Sequence, residues 1–121
     1  MKTLKFFLVA VTMALLFNAC GDDECDVTYE NEVKQIIERS CAYSGCHSGA
    51  DAGMWVTEGS EDYTNYAGIL ANLQAGSFRA RTIDSLDMPP AAYVPEGRPV
   101  SLTQAELDIL ICWLDNGYPE R

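Results

Sequence analysis

Residues 41–47 read Cys41-Ala42-Tyr43-Ser44-Gly45-Cys46-His47, and His47 is the only histidine of the chain. Two thiols and an imidazole so close together constrain the local fold strongly, because they can act on one target only if the spacer turns back on itself. Cys-spacer-Cys-His is the pattern in which two thiols add across the vinyl groups of a haem while the adjacent imidazole reaches its iron. The usual spacer has two residues and this one has four. A local disulfide and a zinc site are therefore competing uses of the same side chains.

The start of the chain bears on where such chemistry would take place. Lys2 and Lys5 precede an uncharged, mainly apolar run from Phe6 to Phe17, the charged n-region and short h-region of a secretory signal. At 12 residues the run falls short of the roughly 20 that span a bilayer. Asn18-Ala19-Cys20 follows at once, with Leu16 and Phe17 just upstream, and the whole segment resembles a bacterial lipoprotein signal. That resemblance implies removal of residues 1–19 and lipidation of Cys20; cleavage by an ordinary signal peptidase is the alternative. Residues 20–26 would then be an acidic tether and residues 27–121 a single domain. Gly21-Asp22-Asp23-Glu24 is similar to the surface-export tag of Bacteroidota lipoproteins, which implies the outer membrane, on its surface or its periplasmic face.

Without Lys2 and Lys5, six basic residues face 18 acidic ones, a net charge of −12 over 102 residues. Such a body does not attract nucleic acid. The acids form a solvated surface, and they can also steer a basic redox partner, an attraction that salt screens.

The five cysteines can be accounted for one by one. Cys20 takes the lipid, Cys41 and Cys46 take the haem, and Cys25 and Cys112 remain. In an oxidising envelope two remaining thiols are expected to pair. The alternative is that Cys112 is a small buried apolar residue on a helix face.

Hydrophobic spacing predicts helices on both sides of the motif. Thr28 is placed as an N-cap, followed by Tyr29, Val33, Ile36, Ile37 and Ser40 on one face. After His47 the chain is polar and glycine-rich through Thr64, apart from Met54-Trp55-Val56. A second helix is predicted from near Asn65, with Tyr66, Ile69, Leu70 and Leu73 on one side and Gly76 as its stop. Ser77 is expected to cap a further turn carrying Phe78, Arg79, Arg81 and Ile83, and helix cannot continue through Pro89 and Pro90. The last helix is the best signalled: Thr103 and Glu106 form a capping box, Leu102 and Leu107 a hydrophobic staple, and Gly117 a stop. Its inward stripe is predicted to be Leu107, Leu110, Ile111 and Leu114. No alternating strand pattern competes, so the fold class is all-α.

In this order the pieces resemble a small monohaem cytochrome c of the single-domain type found in Bacteroidota and Planctomycetota. The similarity spans about residues 27–118. It runs from the helix entering Ser40-Cys41 through Arg79-Ala-Arg81-Thr-Ile83 and Asp87-Met88-Pro89-Pro90 to the Leu-Thr-x-x-Glu-Leu helix that ends Trp113-Leu-Asp-Asn-Gly117. The resemblance implies a cytochrome c-like fold of three to four helices around one covalently attached haem c. Cys41 and Cys46 would be its thioether anchors, His47 the proximal iron ligand and Met88 the distal one. A His/Met pair fills both axial positions, so the implied activity is one-electron transfer to a partner protein rather than enzymatic turnover.

Duller uses remain open for several of these residues. Met54 is the other methionine of the mature chain, an alternative distal ligand or a core filler. Arg79 and Arg81 are candidates for a haem propionate, with simple surface exposure as the alternative. A haem-free binding module stapled by Cys41–Cys46, and a zinc site completed by Cys25 or Cys112, are the competing functions.

Overall fold

The computed structural model describes residues 25–49 and 62–121; the signal, Cys20, Met54 and the Met54-Trp55-Val56 patch lie outside them. The described residues form helices, turns and loops and no strand, in agreement with the all-α expectation. None of their helices is long and apolar enough to cross a membrane.

Thr28 caps the first helical segment as its sequence suggests. Its hydroxyl accepts the Asn31 N–H (3.3 Å), and the Asn31 side chain accepts the Thr28 N–H (2.7 Å), so two otherwise unpaired donors are satisfied. A π-helical turn, Tyr29–Val33, runs directly into helix α1, Lys34–Ser40. The predicted face is the buried one: Tyr29, Val33, Ile36, Ile37 and Ser40 all lie inside.

Helix α2, Tyr66–Gln74, starts at Asn65, whose side chain accepts the Gly68 N–H (2.9 Å), and it buries Ile69 and Leu73. Gly76 ends it at φ 74°, in a region that a Cβ disfavours. The next short helix, α3, Ser77–Arg79, departs from the expected capping. Gly76 holds the cap position and Ser77 is already inside the helix. The Ser77 hydroxyl donates backward instead, to the Asn72 carbonyl (3.3 Å) and the Asn72 side-chain oxygen (2.9 Å), so it closes α2 rather than opening α3. A π-helical turn, Ala80–Asp84, continues α3, and a 3₁₀ turn, Ala91–Tyr93, follows the prolines.

Helix α4, Gln104–Asp115, carries the predicted capping box, with Thr103 Oγ1 accepting the Glu106 N–H (3.3 Å) and the Glu106 carboxylate accepting the Thr103 N–H (2.8 Å). Gly117 and Tyr118, at φ 79° and 48°, end it. Their N–H groups donate to the carbonyls of Leu114 (3.2 Å) and Trp113 (2.8 Å), the paired bonds of a Schellman motif. The inward face is rotated from the predicted stripe. Its centre is Glu106, Leu110 and Trp113, whereas Leu107 and Ile111 are only half-buried. With about 100° between successive residues, Leu107, Ile111 and Leu114 fall on one flank of that centre and Ile109 and Cys112 on the other. The rotation has two visible causes: the bulk of Trp113 goes to the centre of the core, and Cys112 is bonded to Cys25.

Trp113 is 0% exposed. Phe78 and Tyr118 meet its ring edge-on, each with centroids 6.3 Å away, and Tyr29 lies at 6.4 Å. Its indole N–H donates to the Pro119 carbonyl (2.9 Å), which also accepts the Tyr29 N–H (2.9 Å). The C-terminal tail is thereby sewn to the start of the first helical segment, and the Tyr66 hydroxyl joins α2 to it through the Tyr118 carbonyl (2.9 Å).

A disulfide links Cys25 and Cys112, Cα atoms 5.8 Å apart and 87 residues apart in sequence. For a loop of that length the chain-entropy relation gives about 4–5 kcal/mol of stabilisation, exerted on the unfolded chain. Replacing both cysteines by serine is therefore expected to cost about 2–5 kcal/mol, read as a lower urea midpoint with helical circular dichroism retained.

Candidate functional site

α1 delivers the chain directly into the cysteine motif. The N–H groups of Cys41 and Ala42 both donate to the Ile37 carbonyl (2.8 Å each), which completes the helix end. The spacer then folds on itself: Tyr43 N–H donates to Cys41 O (3.2 Å), Cys46 N–H to Tyr43 O (3.0 Å) and His47 N–H back to Cys41 O (3.2 Å). Gly45 makes this possible at φ 85°, which a side chain would resist. The four-residue spacer is thus a closed turn in which Cys41 and His47 are hydrogen-bonded neighbours. Cys41 and Cys46 are both free thiols, half-buried.

His47 is oriented by a residue that the sequence did not single out. The Tyr63 ring stacks flat on the imidazole, centroids 4.1 Å apart and planes within 7°. Tyr63 N–H donates to the His47 carbonyl (2.9 Å), and the Tyr63 hydroxyl accepts the Asn72 amide (2.6 Å). Beside them, the Thr64 hydroxyl and N–H and then the Gly49 N–H hold the Asp62 carboxyl below the usual carboxylate range.

The Cys41 thiol stands in low-dielectric surroundings. Burial, with the Cys46 sulfur adding to it, pushes the Cys41 thiol up to about 12. Tyr43 behaves in the same way: burial first, then the charge of Cys46 and a hydrogen bond to it, push its phenol up to about 12, against a smaller opposing pull from Arg98. Next to Cys41, the Ser40 hydroxyl is buried without a hydrogen-bond partner among the described residues.

Met88 sits on a separate loop. Leu86, 63% exposed and at φ 52°, turns the chain ahead of it, and the N–H groups of Asp87 and Met88 return to the Arg81 carbonyl (3.1 and 3.4 Å). The Arg81 Nε donates to both Asp87 carboxylate oxygens (2.7 and 2.8 Å). Met88 is half-buried, Pro89 is buried, and the peptide between them is cis. Cys41, Cys46 and His47 are thus brought together, while Met88 makes no hydrogen bond to their turn among the described residues.

Arg79 and Arg81 are each engaged by a carboxylate, Arg79 by Asp115 (2.7 Å) and Arg81 by Asp87. The basic residue that reaches the motif is Arg98, whose guanidinium lies 4.9 Å from the Tyr43 ring centre. Its only trace in the sequence is the turn signal Pro95-Glu96-Gly97. The Cys25–Cys112 bond occupies both thiols that could have supplied a fourth zinc ligand. No three His, Cys, Asp or Glu side chains among the described residues gather where a metal ion could sit.

The raised Cys41 thiol has a pH signature in the haem-free chain. The folded state holds that proton after the unfolded thiol, near 9, has lost it, so the associated stability is full below pH 9 and is lost as pH rises toward about 12. Alkylation of Cys41 by iodoacetamide is accordingly expected to be slow at neutral pH and to go on rising past pH 9, where a free thiol levels off, toward about 12; Cys41→Ala reduces the alkaline loss of the urea midpoint, and Tyr43 retains its own share. No known protein family, curated protein or solved structure matches this chain.

Proposed function

We propose that this chain is a membrane-tethered monohaem cytochrome c that carries single electrons in the bacterial cell envelope. The observation that carries the reading is the closed turn 41–47, in which a spacer of twice the usual length still ends with two reduced thiols and the imidazole on one hydrogen-bonded loop. The donor set suits haem c: Cys41 and Cys46 for the thioether bonds, His47 as proximal ligand and Met88 as distal ligand. The surroundings suit it as well. Leu107 and Ile111 leave an apolar flank of α4 half-uncovered, the kind of surface a large flat apolar group protects from water. The Ser40 hydroxyl leaves one buried donor available beside Cys41.

Bound haem would supply the one-electron redox chemistry. The chain's own contribution is positional. Tyr63 fixes the plane of His47 and is itself backed by Phe78 and the Trp113 core, and the Arg81–Asp87 pair holds the loop of Met88. Held by His47 and Met88, such a haem would favour the ferrous state and would offer no position for substrate. Lipid on Cys20 would tether the domain to the membrane. The net charge of −12 on the mature chain favours docking of a basic redox partner and disfavours nucleic acid.

Expressed with a c-type maturation system, the protein is expected to carry haem that survives acid–acetone extraction. A folded but colourless product overturns the reading. Met88→Ala is expected to abolish the methionine–iron charge-transfer band of the oxidised form and to lower the reduction potential, whereas Met54→Ala leaves both in place. The opposite pattern moves the distal ligand to Met54.

A further inference from the structure

A four-residue spacer has more ways to open than a two-residue one, so main-chain bonds of 3.0–3.2 Å within the turn gain from a further hold. Several features converge on Arg98 as the group that holds it shut. The turn Pro95–Arg98 is closed by Arg98 N–H to Pro95 O (3.1 Å) with Gly97 at φ 85°, a type II arrangement that calls for glycine at its third position. That turn presents the guanidinium to two groups at once. Nη1 donates toward the carbonyls of Glu38 and Arg39 (3.4 and 3.3 Å), in the last turn of α1, where carbonyls lack intrahelical partners and a cation is favoured. The same cation lies over the Tyr43 ring. Tyr43 is 6% exposed, and its main chain bonds both Cys41 and Cys46. Arg39, Arg79 and Arg81 each pair with a carboxylate, whereas Arg98 directs its charge to the helix end and the ring.

We propose that Arg98 is a positioning residue that locks the Cys41–Cys46 turn closed by pinning Tyr43 against the end of α1, and so sets the proximity of the two thiols. The inference deepens the haem-attachment reading, yet thiol proximity is a property of the haem-free chain and can be measured without any cofactor.

The test uses the full haem-free chain carrying Cys20→Ser, equilibrated in glutathione buffers. Oxidised glutathione takes two electrons from the Cys41 and Cys46 thiols, giving one internal disulfide and two reduced glutathione molecules. Alkylation followed by peptide mass analysis reads this pair separately from Cys25–Cys112. Arg98→Ala is expected to lower the equilibrium constant for disulfide formation about two- to fivefold. Arg98→Lys, which keeps the charge without the planar fork, is expected to fall between Ala and wild type. Lys34→Ala, which removes an exposed pairing with Glu30, leaves the constant unchanged. If Arg98→Ala does not fold, Arg98→Lys decides alone.

A folded variant with the wild-type constant overturns the proposal. A wild-type chain that takes up no haem, but whose thiol equilibrium responds to Arg98, keeps the clamp and removes the cytochrome reading. A chain that takes up haem, but whose thiol equilibrium ignores Arg98, does the reverse.

Discussion

The first and last helices run in opposite directions and are joined at both ends. At one end the Cys25–Cys112 disulfide ties the chain ahead of the first turn to the last turns of α4; at the other, Arg39 pairs with Glu106 at the start of α4. Glu106 is largely buried, and a buried carboxylate is costly unless it is paired and hydrogen-bonded. Its two oxygens divide the task, one serving the capping box with Thr103 and the other meeting Arg39. Arg39 lies two residues before Cys41, so the cap of the last helix and the exit of the first into the motif are one connected structure. The covalent tie acts through the unfolded chain, whereas the ion pair acts through the folded geometry.

From that frame the placement of His47 follows through rings in contact. Tyr63 stacks on His47, Phe78 lies 6.2 Å from Tyr63, and Trp113 lies 6.3 Å from Phe78. Such pairs contribute about 0.5–1.5 kcal/mol each beyond the area they bury, and their preferred angles restrict each ring relative to the next. The imidazole is therefore positioned by the centre of the core and not only by its own turn. The Met88 loop is held in a different way, by the main chain and side chain of Arg81, on the surface and independently of the aromatic cluster.

Much of the fold was legible because its signals are local. Thr28, Asn65 and Thr103 act as N-caps, and Gly76 and Gly117 as stops, through bonds spanning only a few residues. The α1 face was legible for the same reason: the 3.6-residue period alone sorts Tyr29, Val33, Ile36 and Ile37 inward. Ser77 was misread because a serine after a glycine stop can serve either helix, and here its hydroxyl finds Asn72 behind it. Of the candidate site, the 41–47 string and Met88 were visible as residues. The stacking of Tyr63 and the reach of Arg98 were not, since each joins segments that no local pattern connects.

The sequence by itself determined the caps at Thr28, Asn65 and Thr103 and the stops at Gly76 and Gly117, left Cys25 and Cys112 as the pair once the lipid and the motif are assigned, and singled out Cys41, Cys46, His47 and Met88 as the candidate donors. Only the tertiary structure decided how α4 is rotated, so that Trp113 rather than Ile111 occupies the centre, and which carboxylates take Arg39, Arg79 and Arg81. It also decided that a spacer of unusual length closes into a turn beneath Arg98. The physical division is one of range. Caps and stops are satisfied within one helical turn, whereas helix rotation, ion-pair choice and the closing of the turn are settled by volume and charge arriving from distant parts of the chain.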